Sequence, residues 1–177
     1  MPDEPRKAHD HHRETSPRDA RCFVLTVSDT RDPDTDRSGR LIGELVEGAG
    51  LRLSGAEIVP DEPARIRASI EARLADPATD VILVTGGTGV APRDRTVEVV
   101  RELLERELPG FGEIFRMLSF REIGAAAMLS RALAGVARGK AVFALPGSAD
   151  AVKLAMNQII LPEIGHLLRE LRKQGSG

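Results

Sequence analysis

Tryptophan and tyrosine are absent from the 177 residues, and phenylalanine occurs only five times. Few platforms for base stacking remain, and a formal net charge of -2 with a pI near 6.1 leaves no basic footprint, so nucleic acid is not an expected partner. The single cysteine, Cys22, rules out an internal disulfide and is too few for a cysteine zinc site, which fits a reducing cytoplasm. At the head of an apolar run it reads as a small buried hydrophobe. Histidine is scarce as well: His9, His11 and His12 lie near the N-terminus, and His166 stands in the last helical stretch. The first three form a flexible cluster beside Asp10, of the kind that binds metals adventitiously. A Ser-His-Asp or Cys-His arrangement would have to use His166, far from every glycine-rich turn, so covalent nucleophilic catalysis is not expected. Chemistry then falls to carboxylates, backbone amides, Arg, Lys and a metal, the equipment of phosphoryl or nucleotidyl transfer. No segment approaches the length of a membrane span, and no signal-peptide core is present, so a membrane is not an expected partner either.

What is there divides into two parts. Residues 1–20 are dense in Pro, Asp, Glu, Arg and His without periodic apolar positions, and read as a disordered tail. Residues 21–174 read as one domain, long enough for one well-buried core. Strands are expected over 22–27, up to Val59, over 81–85 and over 140–145, with helices between them. Ser38 is the expected cap of the first helix, Thr96 of a later one, and Asp150 the start of another. A short helix holding Phe111, Phe115, Met117 and Leu118 is expected after the Pro109–Gly110 break. The Arg138–Gly139 pair between 132–137 and 140–145 suggests a hairpin at a sheet edge. Repeated βα units imply a three-layer α/β/α fold with a mostly parallel central sheet.

Residues 81–98, VILVTGGTGVAPRDRTVE, carry the strongest functional signal. A branched apolar strand runs directly into glycines that let a ligand approach the main chain, followed by a helix start whose dipole favours an anion. The spacing matches neither GxxxxGK[ST] nor GxGxxG, which argues against a P-loop kinase and a dinucleotide oxidoreductase. Arg93 and Asp94 follow, one suited to gripping phosphate and the other to holding Mg²⁺ or orienting a nucleophile. In a parallel sheet, ligands sit beyond the carboxyl ends of the strands. Ser28 and Asp29, Pro60 to Glu62, residues 86–94, and Pro146, Gly147 and Ser148 should therefore meet in one pocket. Each has a plainer alternative as a helix cap, a polar turn or a strand terminator.

TGGTG followed by three residues and RD-x-T resembles the molybdenum-cofactor biosynthesis family that includes MogA, MoaB and the G domains of plant Cnx proteins and gephyrin. VLTVSDTR at 24–31, VPDE at 59–62, PGFGEIFR at 109–116 and ALPGS at 144–148 fit the same family. The short C-terminal part looks closer to MoaB than to MogA. The resemblance implies adenylylation of molybdopterin by ATP with Mg²⁺ and release of pyrophosphate. It assigns Asp61 and Asp94 to catalysis and to the metal. Ser28, Asp29, Thr85, Gly86, Gly87, Thr88, Gly89, Arg93, Thr96, Pro146, Gly147 and Ser148 are then expected to bind substrate and nucleotide. It also implies a trimer or hexamer, to which the large apolar groups at 111–120 point independently, and contact with other enzymes of the pathway. The competing class is a non-catalytic molybdopterin-binding or assembly protein. Arg95 departs from the family, which usually has Val there.

Overall fold

The computed structural model describes residues 19–173. The expected tail lies outside the described residues up to 18, as do its three histidines, and the expected domain end at 174 lies outside them too. Ala20, counted with the tail, belongs to the core: it is 0% exposed, and its carbonyl accepts the Arg52 N–H at 2.9 Å.

Six strands form one sheet in the order β2-β1-β3-β6-β5-β4. They are β1 Arg21–Val27, β2 Arg52–Val59, β3 Val81–Thr85, β4 Arg106–Glu107, β5 Leu133–Ala137 and β6 Lys140–Leu145. The first four in that order run parallel, β5 pairs antiparallel with β6, and β4 pairs antiparallel with β5. The expected β5–β6 hairpin is present, but β6 lies inside the sheet and the two-residue β4 forms the edge. Both β4 side chains are exposed, so no apolar alternation marked that strand.

The helices are α1 Arg37–Gly48, α2 Pro63–Ala75, α3 Thr96–Leu103, α4 Pro109–Ile123, α5 Ala149–Ala155 and α6 Leu161–Arg172. Alternation along the strands sorts the core into two halves. Cys22, Val24, Val81 and Leu83 pack with α1, α4, α5 and α6, while Phe23, Leu25, Ile82 and Val84 pack with α2 and α3. This is the three-layer α/β/α arrangement. Burial pushes the Cys22 thiol up to about 12, in keeping with its reading as a hydrophobe.

Three local expectations need correction. Asp36, not Ser38, caps α1: its Oδ1 accepts Gly39 N–H at 2.9 Å, and its Oδ2 accepts the Thr26 hydroxyl at 2.6 Å. A carboxylate able to serve both partners outcompetes the hydroxyl, and Ser38 is buried inside the first turn. Helix α4 is not short, running 15 residues with Pro109 in its first turn, where a missing N–H costs nothing. Helix α5 starts at Ala149 with Ser148 as cap, one residue ahead of Asp150. Just before Pro162 the chain makes a π-helical turn, Met156–Ile160, the adjustment a proline ring imposes on the preceding carbonyls.

Candidate functional site

Strand register places the candidate residues. Thr26 of β1 pairs with Thr85 of β3, Thr85 with Leu145 of β6, and Val27 with Val59 of β2. The four parallel strands therefore release their following loops side by side. Gly86, at φ 96°, donates its N–H to Leu145 O at 3.1 Å and turns so close to β1 that a Cβ would stand 2.2 Å from Val27 O. Gly87, at φ 63°, is pressed from the other side: a Cβ there would lie 2.2 Å from Thr96 Oγ1 and 3.0 Å from Asp61 Oδ2. Only glycine permits both the angles and the contacts.

The two aspartates meet this turn. Asp61 is half-buried, donates its N–H to Asp29 Oδ1 at 2.9 Å, and keeps its Oδ1 buried without a hydrogen-bond partner. Desolvation raises its carboxyl above the ordinary range. The Arg95 N–H opposes that rise, the charges of Asp94 and Asp29 add to it, and Arg93 opposes it. Asp94 accepts the Ala91 N–H at 2.9 Å through Oδ2, and its carboxylate crowds Gly89, where a Cβ would come within 2.5 Å. Thr96 is fully buried, with Oγ1 unpartnered, and its N–H donates to Gly87 O at 3.1 Å. It is the first residue of α3 rather than the cap, a place taken by Arg95 without a side-chain bond. The structure thus gives Thr96 a site-facing hydroxyl in place of a capping one. Arg93 is exposed and, among the described residues, forms no ion pair with Asp94.

A cavity of about 470 Å³ opens on the same loops. Ser28, Gly86, Gly87, Thr88, Gly89, Pro146, Gly147 and Ser148 line it with Thr30, Arg31, Phe115 and Ser119. Asp61, Asp94, Thr96 and Arg93 do not, so the expected single pocket separates into a cavity and an acidic cluster that share the glycine turn. Thr85 is buried and donates to Pro146 O at 3.1 Å, tying two loops together rather than facing a ligand. Ser28 Oγ accepts from Arg31 N–H at 3.2 Å within a polar turn, and Ser148 Oγ, expected to face a phosphate, caps α5 by accepting Ala151 N–H at 3.3 Å. Asp29 lines a neighbouring groove of about 850 Å³ between α1 and β2.

Two arginines escaped the sequence reading as site residues. Arg31 donates to Gly147 O at 3.0 Å and stands 3.5 Å from Asp36. Arg131 donates to Thr88 O and Asp94 O. The VLTVSDTR stretch already contained Arg31, whereas Arg131, 37 positions from Asp94, left no local signal.

Among the described residues no group of three or more His, Cys, Asp or Glu side chains forms a metal cage. Two carboxylates near one orphaned hydroxyl nevertheless suit Mg²⁺, which takes one or two protein carboxylates and completes its shell with water and substrate phosphates. No helix among the described residues is long and apolar enough to cross a membrane.

A mostly parallel sheet whose strand ends carry a glycine turn beside two aspartates defines an α/β/α domain with its candidate site at the strand ends, and residues 23–166 match the family model described as "Probable molybdopterin binding domain". The chain belongs to this molybdenum-cofactor biosynthesis family, the MoaB/MogA family. It is 54% identical over 163 residues to molybdenum cofactor biosynthesis protein B of Halalkalibacterium halodurans, covering 92% of this chain and 96% of that one. The protein of the same name from Bacillus subtilis is 52% identical over 163 residues, with the same coverage. Among solved structures, a molybdenum cofactor biosynthesis protein B superposes with a TM-score of 0.87 at 48% identity, covering 90% of this chain and 99% of that one. The tungsten cofactor synthesizing protein MoaB from Pyrococcus furiosus gives 0.76 at 37% identity, covering 89% and 99%.

Proposed function

We propose that this protein acts in molybdenum cofactor biosynthesis, binding molybdopterin and transferring the adenylyl group of ATP to its phosphate. The family model's description and the names of the relatives support the pathway and the pterin. The single observation that carries the reaction is the approach of Asp61 to Gly87 and of Asp94 to Gly89 on one glycine turn, with Asp61 Oδ1 and Thr96 Oγ1 buried and unpartnered. Orphaned buried oxygens are costly, and a ligand that satisfies them recovers that cost.

In this reading a phosphate oxygen of molybdopterin attacks the α-phosphorus of ATP. A new P–O bond forms, the bond from that phosphorus to the bridging oxygen breaks, and pyrophosphate leaves with its electrons. The nucleophile is already anionic, so no strong general base is required. Asp94 and Asp61 would hold Mg²⁺, which would supply neutralisation of charge on the phosphates. The N–H groups of Gly87 to Gly89 hold phosphate oxygens, Arg93 swings from the loop tip to add positive charge, and Thr96 Oγ1 donates to a phosphate or a water. Catalysis is positioning and electrostatic stabilisation. Self-association into a trimer or hexamer belongs to the same reading, supported by the exposed apolar face described in the Discussion.

Pyrophosphate release from Mg·ATP and purified molybdopterin, with and without the protein, tests it. Asp94→Asn keeps shape and removes charge, so turnover should fall by about 100-fold, equivalent to about 2.7 kcal/mol, with molybdopterin binding retained. Asp61→Asn should act in the same direction, and Asp29→Asn, which supports Asp61 only through a backbone N–H, should cost less. A wild type that retains molybdopterin by calorimetry but releases no pyrophosphate would make this a binding protein instead.

A further inference from the structure

The loop between β3 and α3 carries Asp94, and two sets of bonds hold it. Within the loop, Ala91 N–H donates to Asp94 Oδ2 at 2.9 Å and Asp94 N–H to Ala91 O at 2.9 Å. From outside, Arg131 reaches in from just before β5. Its Nε–H donates to Thr88 O at 3.2 Å and its Nη2–H to Asp94 O at 2.8 Å, while Nη1 pairs with Glu98 in the first turn of α3. One planar guanidinium therefore clasps the loop on both sides of its exposed tip, where Val90 and Arg93 stand in solvent.

The geometry points to Arg131 as a positioning residue that sets the Asp94 carboxylate relative to Asp61 and holds the glycine-turn amides open to phosphate. This rests on the adenylyl-transfer reading for its consequence, though the clasp itself does not. The physical reason is the guanidinium fork: its N–H groups point in fixed directions, so the two carbonyls cannot move apart without losing one bond. An ammonium has no such fork. A charge pair with Glu98 alone would anchor Arg131 to α3 and leave the loop free.

Amide hydrogen exchange and steady-state kinetics on the full chain test this with Arg131→Gln, Arg131→Lys and Glu98→Gln. Exchange at Ala91 and Asp94 should quicken by about tenfold in both Arg131 variants, with β3 amides unchanged, because the loop opens locally rather than with the whole domain. In pyrophosphate release, kcat should fall by about tenfold or more, while KM for ATP moves by less than about threefold, since binding contacts survive and transition-state alignment does not. Arg131→Lys keeps the charge and guards against a simple folding defect. Glu98→Gln leaves both carbonyl contacts in place, so loop exchange should stay within about threefold of wild type. Unchanged loop exchange in Arg131→Gln, or equal damage from Glu98→Gln, would overturn the proposal. If the wild type itself releases no pyrophosphate, the transfer reading falls, and the exchange result alone decides whether Arg131 sets the loop.

Discussion

Replacing Gly87 by alanine should cost far more than the same change at Gly50, and the difference measures how tightly the acidic cluster closes on the turn. Both glycines have left-handed backbone, at φ 63° and 77°. Forcing alanine into that region costs about 1–2 kcal/mol at either site. At Gly50, which follows the C-terminus of α1, a Cβ meets nothing within 4 Å, so that cost is the whole effect. At Gly87 the Cβ would stand 2.2 Å from Thr96 Oγ1 and 3.0 Å from Asp61 Oδ2. Thr96 is fully buried in the first turn of α3, so it cannot swing away, and overpacking of this kind adds about 1–3 kcal/mol. The expected loss is therefore about 2–5 kcal/mol at Gly87 against about 1–2 at Gly50. Urea unfolding of both variants and wild type at one protein concentration would read it. With a slope of about 1–3 kcal/mol per molar, the two midpoints should separate by roughly 1 M. Equal midpoints would refute the close approach of Thr96 and Asp61 to Gly87, and with it the cluster on which the proposed metal position depends.

Other outcomes follow from the fold. Asp80 accepts the Arg21 Nε–H at 2.8 Å, Nη2–H at 3.0 Å and backbone N–H at 2.9 Å, and these bonds hold its carboxyl below the usual range. The stability it contributes is complete above the ordinary Asp value of about 3.9 and is lost as pH falls through the depressed folded one. Asp80→Asn should accordingly flatten the acid side of a plot of urea midpoint against pH. Deleting residues 1–18 should leave the melting temperature nearly unchanged. Deletion through Ala20 should cost about 1–3 kcal/mol, because the Arg52 N–H loses its acceptor and a fully buried residue leaves the core, and calorimetric melts of the two truncations compare them. Cys22, buried and with its thiol raised to about 12, should resist iodoacetamide at pH 8 until urea unfolds the chain. Light scattering should give a mass that is a multiple of three chains. Phe120→Asp should reduce that mass, since Phe120 is 62% exposed and Met117 and Ile123, three residues to either side on the same helix, are exposed as well. A monomeric wild type would contradict the assembly.

Much of this architecture was legible in the chain. Val81 to Thr85 could only be a strand covered on both faces, Ile66, Ile70 and Leu74 could only mark one helical stripe, and glycines directly after the strand announced a turn that other side chains would block. These are local facts, because backbone sterics and apolar periodicity act over a few neighbouring residues. The family motifs likewise singled out Asp61 and Asp94 as candidates. Tertiary structure decided the rest. Phe111 turns inward to pack on Phe143 and Phe115 stacks on Phe111, leaving Phe120 outside, although all three α4 rings look alike in sequence. Asp36 took the cap from Ser38 because Thr26, ten positions earlier on β1, supplied a second partner. Arg131 found the Asp94 loop only when β5 folded back beside β6. Hydrogen bonds and charges act over a few ångströms of space, and which distant residues come within that reach is set by how the strands pair.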